Sequence, residues 1–399
     1  MLYNESMDKI RDRINEFNRG VPLFLLKVKY KRMSESAFRF FRGTCHLFYE
    51  DLGKNSSFPS SPASWITGDL HLENFGSYKG DNGLVYFDVN DFNEAILAPV
   101  TWEIARMTTS IFVAFDDLQI RPRETEDMVS LFLKTYASVL AAGKPRYIEA
   151  KIARGIVKDF LERVGERTLG ELLDGRVSRK GKELRLCIDG ERHLKLESEL
   201  RDKLRDFIDD WTRNNHPKYR CLDIAFRIAG TGSVGVKRYV FLLKHLEKEK
   251  NYLMIDMKQA KPSSLEKFAP VKQPRWLSEG ERMVCVQQYM QNVCPALLSF
   301  VSFDREPFLI KKLQPSEDRV NFRLLKKREK DLSQVIKEMA ILAASAHLRS
   351  AARKGASTHD ELMTFGNSDS WHNEIMSYSR EYSKRVKAYH YEFIKESVT

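Results

Sequence analysis

The chain of 399 residues contains few cysteines and no long apolar run. Its five cysteines are widely spaced and form no C-x-x-C pair, which argues against a zinc site and against a disulfide framework. We therefore expect a reducing, cytoplasmic location. No run of about 18 apolar residues occurs, so no transmembrane helix is predicted. Residues 1–20 are charged and lack the apolar segment of a secretory signal.

Composition indicates a folded protein with room for two domains. Hydrophobic residues make up 42% of the chain, enough for a sizeable core. The 66 basic and 55 acidic residues give a formal charge of +11. Because basic and acidic residues are interleaved along the chain, we attribute the net positive charge to solvated helix faces and to a pocket for a phosphorylated ligand. No recognisable nucleic-acid module is present, and we do not expect a nucleic-acid partner.

Residues 67–76 carry the most informative pattern. Asp69 and Asn74 have the D-x-x-x-x-N spacing of a phosphotransferase catalytic loop, and an Asp-Phe pair follows at Asp91. In that chemistry the loop aspartate accepts the proton of the attacking hydroxyl, while the asparagine and the second aspartate hold Mg²⁺. Mg²⁺ requires such hard oxygen ligands. We predict Asp69 as the base and Asn74 with Asp91 as metal ligands, Asp88 being the rival of Asp91.

A glycine-rich stretch follows near residue 230 and lies between two strand-like segments. Kinases cover nucleotide phosphates with such a hairpin, because glycine lets backbone amides approach phosphate closely. The strand-like residues 252–260 include a lysine at the place where a kinase holds the α and β phosphates. The predicted nucleotide-binding residues are Gly230, Thr231, Gly232, Ser233, Gly235 and Lys258. Glu281 and Glu266 are both candidates for the glutamate that pairs with this lysine.

Local patterns predict several further elements. Residues 21–30 indicate an extended segment or a loop, and residues 183–197 indicate a strand pair with a turn at Asp189. Residues 328–354 and the C-terminal segment have the apolar spacing of long helices. Glu103 and Arg106, on a helix predicted after the Asp91 segment, are expected to be structural pairing groups.

These motifs resemble known families. Residues 67–74 are similar to the H-G-D-x-H-x-x-N loop of aminoglycoside and choline phosphotransferases, distant relatives of protein kinases, although Thr67 replaces the first histidine. The segment resembles more closely a bacterial family, domain of unknown function 2252. Its pattern G-D-x-H-x-x-N-F-G, followed by N-D-F-[DN]-E-A, is matched over residues 68–95. That resemblance covers most of the chain and includes the G-x-G-S-x-G segment and a lysine-bearing strand.

The order of the motifs is inverted relative to a kinase, because the catalytic loop precedes the glycine-rich segment. We therefore predict an α+β, protein-kinase-like fold of two lobes with permuted order. A helical catalytic lobe would comprise residues 1–215, a strand-rich nucleotide-binding lobe residues 216–322, and completing helices residues 323–399. The helix at 328–354 would lie in space where a kinase has the helix before its catalytic loop.

The resemblance implies transfer of the γ-phosphoryl group of ATP, with Mg²⁺, to an unidentified hydroxyl acceptor on a small molecule or protein. Three alternatives stay open. Asp69, His71 and Asp91 could hold the metal of a phosphohydrolase. The chain could also bind a nucleotide without transfer, as a pseudokinase does, or transfer AMP.

Overall fold

The structure, a computed structural model, describes residues 9–55, 58–181, 183–230 and 234–395. Within these ranges the chain is mixed α+β, with thirteen helices and several antiparallel sheets. The helices are α1 (Ile10–Phe17), α2 (Leu23–Ser34), α3 (Ala37–Gly43), α4 (Cys45–Gly53), α5 (Val100–Asp117), α6 (Pro122–Ala142), α7 (Gly155–Gly165), α8 (Leu169–Leu173), α9 (Ser198–Asn215), α10 (Glu279–Met290), α11 (Glu329–Ser350), α12 (His359–Gly366) and α13 (His372–Lys395).

The strands are short in the first half of the chain and longer in the second. They are β1 (Ala63–Ile66), β2 (Phe75–Lys79), β3 (Val85–Val89), β4 (Ile96–Pro99), β5 (Ile148–Glu149), β6 (Val177–Lys180), β7 (Glu183–Leu186), β8 (His193–Leu194), β9 (Tyr219–Arg227), β10 (Arg238–His245), β11 (Tyr252–Gln259), β12 (Ser299–Phe303), β13 (Glu306–Lys312) and β14 (Asp318–Arg319).

The largest sheet has six antiparallel strands in the order β12-β13-β11-β10-β9-β8. Side chains of a strand alternate between the two faces of a sheet. In β10, Tyr239 and Phe241 enter one apolar cluster, and Val240 and Leu242 enter another. The central strands are therefore buried on both faces, which accounts for their nearly continuous apolar sequence.

A larger apolar core lies among the helices. Helix α5 packs on α6 and α13, and α6 packs on α11. Most residues of α5 are buried, because neighbouring elements cover it on several sides. This core fixes the helix from which Glu103 and Arg106 project.

Two short strand pairs bring the two motif loops together. In the first pair, Ile66 at the end of β1 is opposite Ile96 at the start of β4. In the second pair, Phe75 at the start of β2 is opposite Val89 at the end of β3. The loops at 67–74 and 90–95 therefore leave neighbouring strand ends and lie side by side.

Two local predictions were wrong. Residues 21–30, expected to be extended or a loop, belong largely to α2, where Leu25 and Met33 are buried on one helix face. The second concerns residues 183–197. Strand β7 pairs with β6, and β8 pairs with β9, so the two strands expected to pair with each other have different partners. A turn does form at Asp189, whose side-chain carboxylate accepts hydrogen bonds from three backbone N–H groups. The chain then enters β8, which joins the large sheet and does not pair with β7.

The long helices predicted near 328–354 and at the C-terminus are confirmed as α11 and α13. Strands on either side of the glycine-rich segment, and the strand ending near Lys258, are also confirmed as β9, β10 and β11. Among the described residues, no helix combines the length and the apolarity needed to cross a membrane. The permuted, two-lobed arrangement and the division at residues 215 and 322 stay predictions.

Candidate active site

The Asp69 loop begins with a tight turn that requires glycine. Gly68 has φ of 78°, and a Cβ atom there would lie 2.2 Å from the carbonyl oxygen of Glu94. The backbone N–H groups of Thr67 and Gly68 donate to Oε1 of Glu103 at 2.6 and 3.1 Å. One carboxylate of α5 thus fixes the turn, as predicted for a structural pairing group.

A buried network continues from this carboxylate. Oε2 of Glu103 lies 2.8 Å from Nε2 of His347 on α11, and Nδ1 of His347 lies 2.7 Å from the hydroxyl of Tyr136 on α6. The side chains of Glu103 and His347 are almost completely buried. Because buried polar groups are costly unless they are bonded, this network specifies one arrangement of three helices around the loop.

Asp69 is held by a buried arginine. Its Oδ1 accepts from Nε of Arg106 at 2.8 Å and from Nη2 at 2.5 Å. The Arg106 guanidinium is fully buried and stacks 4.1 Å from the ring centre of Phe41. Burial raises the pKa of Asp69 to about 6, and Arg106 opposes that rise by favouring the charged carboxylate. Asp69 is therefore mostly ionised at neutral pH.

Asn74 lies at the end of the same loop, in a 3-10 turn (Leu72–Asn74). Its Nδ2 donates to the backbone carbonyl of Asp69 at 2.6 Å. Since the amide nitrogen is occupied in this way, Oδ1 is the atom that can bind a metal. The bond also ties the two predicted functional residues of the loop to each other.

His71 is engaged on both ring nitrogens. The N–H of Glu73 donates to Nδ1 at 3.1 Å, and Nε of Arg42 lies 3.3 Å from Nε2. A ring nitrogen that faces a donor is poorly placed to bind a metal. Within the described ranges, no three His, Cys, Asp or Glu side chains group together as metal ligands.

Asp91 and its rival Asp88 have different surroundings. Asp91 lines the cavity beside the loop, and its Oδ1 lies 3.8 Å from Nζ of Lys258. Asp88 is buried with its carboxylate 3.9 Å from Arg349, and burial raises its pKa to about 6. Of the two, Asp91 is the carboxylate that a ligand in the cavity can reach.

The cavity has a volume of about 320 Å³ and brings together five of the predicted residues. They are Asp69, Asn74, Asp91, Gly230 and Gly235, and they come from three separate segments of the chain. Lys258 reaches the site through its contact with Asp91. Thr231, Gly232 and Ser233 lie outside the described residues.

Helix α10 contributes an arginine that connects two segments of the cavity wall. The carboxylate of Glu281 accepts from the backbone N–H of Leu277 at 2.6 Å and so serves the start of α10. The neighbouring Arg282 donates to the carbonyls of Asn93 and Lys261 at 3.1 and 3.0 Å. It therefore joins the Asp91 loop to the segment after β11. The pairing of Lys258 with a glutamate stays a prediction.

Several residues of the cavity wall are not among the predicted site residues. They are charged side chains from the N-terminal helices and from the segments around the motifs: Lys29, Arg42, Glu94 and Lys261. Lys29 left a signal in the sequence, because it stands at helical spacing between Leu25 and Met33 on the buried face of α2. A lysine on such a face is rarely buried unless a partner or a ligand requires it.

Comparison with known proteins gives a family but no named relative. The chain matches no curated protein and no solved structure. The model of the family described as "Uncharacterized protein conserved in bacteria", domain of unknown function 2252, matches residues 23–396. That match includes the Asp69 and Asp91 loops, the glycine-rich segment and Lys258, and it extends over far more than half of the chain. This protein therefore belongs to the bacterial family of domain of unknown function 2252.

Proposed function

We propose that this protein is a kinase-like phosphotransferase that moves the γ-phosphoryl group of ATP to a hydroxyl acceptor with the help of Mg²⁺. The observation that carries the proposal is the meeting of the Asp69 loop, Asp91 and the glycines at 230 and 235 around one cavity. Phosphoryl transfer uses a base, a metal site and backbone groups that cover the phosphates. Residues suited to all three tasks line the same space.

The residues at the cavity fit Mg²⁺. The side-chain nitrogen of Asn74 is hydrogen-bonded to the backbone carbonyl of Asp69, so Asn74 offers its amide oxygen to a metal. Asp91 offers a carboxylate. Both are the hard oxygen donors that Mg²⁺ prefers, alongside phosphate oxygens and water. When bound, the ion would neutralise negative charge on the phosphates. Lys258, 3.8 Å from Asp91, would add a positive charge next to them.

Asp69 suits the role of a general base. A base is most effective when its pKa is near the working pH. Burial raises the pKa of Asp69 to about 6, and Arg106 keeps the carboxylate oriented through two bonds to one oxygen. The acceptor hydroxyl would give its proton to this carboxylate as it attacks the phosphorus.

Helix α11 supports the permuted arrangement. The hydroxyl of Ser64 in β1 lies 3.1 Å from that of Ser350, so α11 runs beside the strand that enters the Asp69 loop. This is the place in which the permutation requires the helix. We propose that both ends of the chain build a helical lobe around a strand-rich lobe that contains the six-stranded sheet, to which β8 (His193–Leu194) also belongs.

The structure gives different support to the phosphohydrolase alternative and to the two nucleotide-binding alternatives. A phosphohydrolase that uses Asp69, His71 and Asp91 as ligands gains little support, because both ring nitrogens of His71 face donors. AMP transfer, or nucleotide binding without transfer, would use the same cavity. The products formed from ATP distinguish both of these activities from phosphoryl transfer.

The direct test is to follow ATP labelled on the γ or on the α phosphate, with Mg²⁺, in wild type, Asp69→Asn and Asp202→Asn. Asp202 is exposed on α9 and serves as the control. We expect ADP and transfer of the γ label to water or to protein. Asp69→Asn should lower the rate by about 10²–10⁴-fold, the usual contribution of a general base. Equal rates in Asp69→Asn and wild type would refute the assignment, and pyrophosphate with incorporation of the α label would indicate AMP transfer.

A further inference from the structure

Helices α1 and α2 form one wall of the cavity, although no phosphotransferase motif falls in them. Val21, between the two helices, packs against the glycine-rich segment, and a Cβ atom on Gly235 would lie 2.9 Å from its Cγ1. Leu25 on α2 shares an apolar cluster with Ile228 and Val234, on either side of the same segment. The two helices are therefore fixed against the part of the chain expected to cover phosphate.

Lys29 of α2 lines this wall and is only 3% exposed. Within the described residues its ammonium group donates to one acceptor, Oδ1 of Asn18, at 2.7 Å. Nδ2 of Asn18 donates to the carbonyl of Ile14, which orients Oδ1 toward the lysine. The ring of Phe17 lies 5.5 Å from the ammonium nitrogen. An ammonium has three N–H donors, so this environment leaves donor capacity facing the cavity.

Within the described part of the chain, Lys29 forms no ion pair within 4.0 Å, and Glu94 and Asp69 favour its charged form only from farther away. The nearby acids are already engaged, since Arg106 binds Asp69 and Ser264 donates its N–H and hydroxyl to Glu94. Lys261 adds a second positive charge near Lys29. Burial lowers the pKa of Lys29 to about 8, which reflects the cost of an ammonium group without full compensation. A buried cation in such a place is stabilised by an anionic ligand.

We propose that Lys29 binds a phosphate-type anion in the cavity, which makes the N-terminal helices a working part of the site. The anion is either the terminal phosphate of the nucleotide or an acidic group of the acceptor, both of which offer charged oxygens to an ammonium. This inference rests on the proposed function, because it places the anion beside Asp69 and Asp91.

Thermal unfolding of the full chain tests the proposal in wild type, Lys29→Met and the control Lys27→Met. Methionine keeps the apolar stem without the charge, and Lys27 is exposed on the same helix. The ligands are ADP–Mg²⁺, ATP–Mg²⁺, inorganic phosphate alone, and ATP–Mg²⁺ with inorganic phosphate. If Lys29 binds the terminal phosphate, Lys29→Met should weaken ATP binding by about tenfold to a hundredfold and leave ADP binding unchanged. If it binds the acceptor's anion, ATP binding persists and the additional stabilisation by inorganic phosphate is lost.

Equal responses of Lys29→Met and wild type in all four ligand conditions would overturn the role of Lys29 while leaving the nucleotide site intact. A wild type that does not respond to ATP–Mg²⁺ would instead refute the proposed function. In that case, stabilisation by inorganic phosphate alone that Lys29→Met abolishes would still support an anion site, and its absence in wild type would refute that site too.

Discussion

At the scale of single residues, the site depends on charged groups that are buried beside one another. Arg106 is fully buried and donates twice to one oxygen of Asp69. Burial and Arg106 act on that carboxylate in opposite directions, and burial prevails, so its pKa rises to about 6. Such a carboxylate is ionised at neutral pH and still basic enough to accept a proton.

This balance predicts the pH dependence of transfer. The base works only when Asp69 is deprotonated, so the rate should be nearly full above about pH 7. It should fall roughly tenfold for each unit below about pH 6. The measurement is kcat/KM for ATP–Mg²⁺ against pH, because this ratio reports the pKa of the ligand-free enzyme.

Asp88 provides the matched control, because burial raises its pKa to about 6 as well, yet it faces Arg349 away from the cavity wall. Asp88→Asn should keep the acid limb of the profile. Loss of the limb in this variant would show that Asp88, and not Asp69, sets the pH dependence.

Residues named by a local motif could be predicted from the sequence, and those positioned by tertiary packing could not. Asp69, Asn74 and Asp91 follow from short spacings, and the structure brings them to one cavity. Lys29 reaches the same cavity only because α2 packs against the glycine-rich segment, a contact that no local pattern encodes. Arg282 was overlooked for the same reason, since its acceptors lie on two distant segments.

At the scale of elements, the Asp69 turn is constrained both by its backbone conformation and by the space around it. Gly83 provides a comparison, because it has φ of 79°, close to that of Gly68, but no atom lies near its ideal Cβ position. At Gly68 that position is 2.2 Å from the carbonyl of Glu94. Alanine substitutions at the two glycines therefore distinguish the cost of a left-handed backbone from the cost of a steric clash.

We predict that Gly83→Ala lowers the free energy of unfolding by about 1–3 kcal/mol, the usual cost of a left-handed backbone for a residue with a side chain. Gly68→Ala should lose a further 1–3 kcal/mol, roughly, because the Glu94 backbone is forced to move. Urea denaturation of both variants measures the difference. Equal losses would mean that the turn relaxes freely and that the close approach to Glu94 has no structural importance.

Element prediction succeeded where one pattern dominates. The strand after the glycine-rich segment is rich in Val, Tyr and Phe, and a strand is present on each side of that segment. Helix α2 was mistaken for an extended segment because lysines interrupt its apolar face, and one of them, Lys29, is buried. The predicted pairing of β7 with β8 was wrong because β8 pairs with β9 in the large sheet. Strand β7 pairs instead with β6, next to a tight turn at Gly181, which has φ of 64°.

At the scale of the whole molecule, two distant parts of the chain must come together to form one nucleotide site. The Asp91 loop comes from the first third of the sequence, whereas the glycine-rich hairpin and Lys258 come more than a hundred residues later. Arg282 and the contact between Asp91 and Lys258 join these parts. Ligand binding should therefore stabilise the entire fold, and it should depend on Asp91.

The measurement that tests this claim most directly is thermal unfolding with and without ATP–Mg²⁺ in wild type, Asp91→Ala and the control Asp202→Ala. At about 100 times its dissociation constant, the ligand should stabilise wild type and the control by about 2.7 kcal/mol. Asp91→Ala should lose most of this stabilisation, because it removes a predicted metal ligand. No shift in wild type, or an equal shift in Asp91→Ala, would contradict a metal–nucleotide site at this cavity.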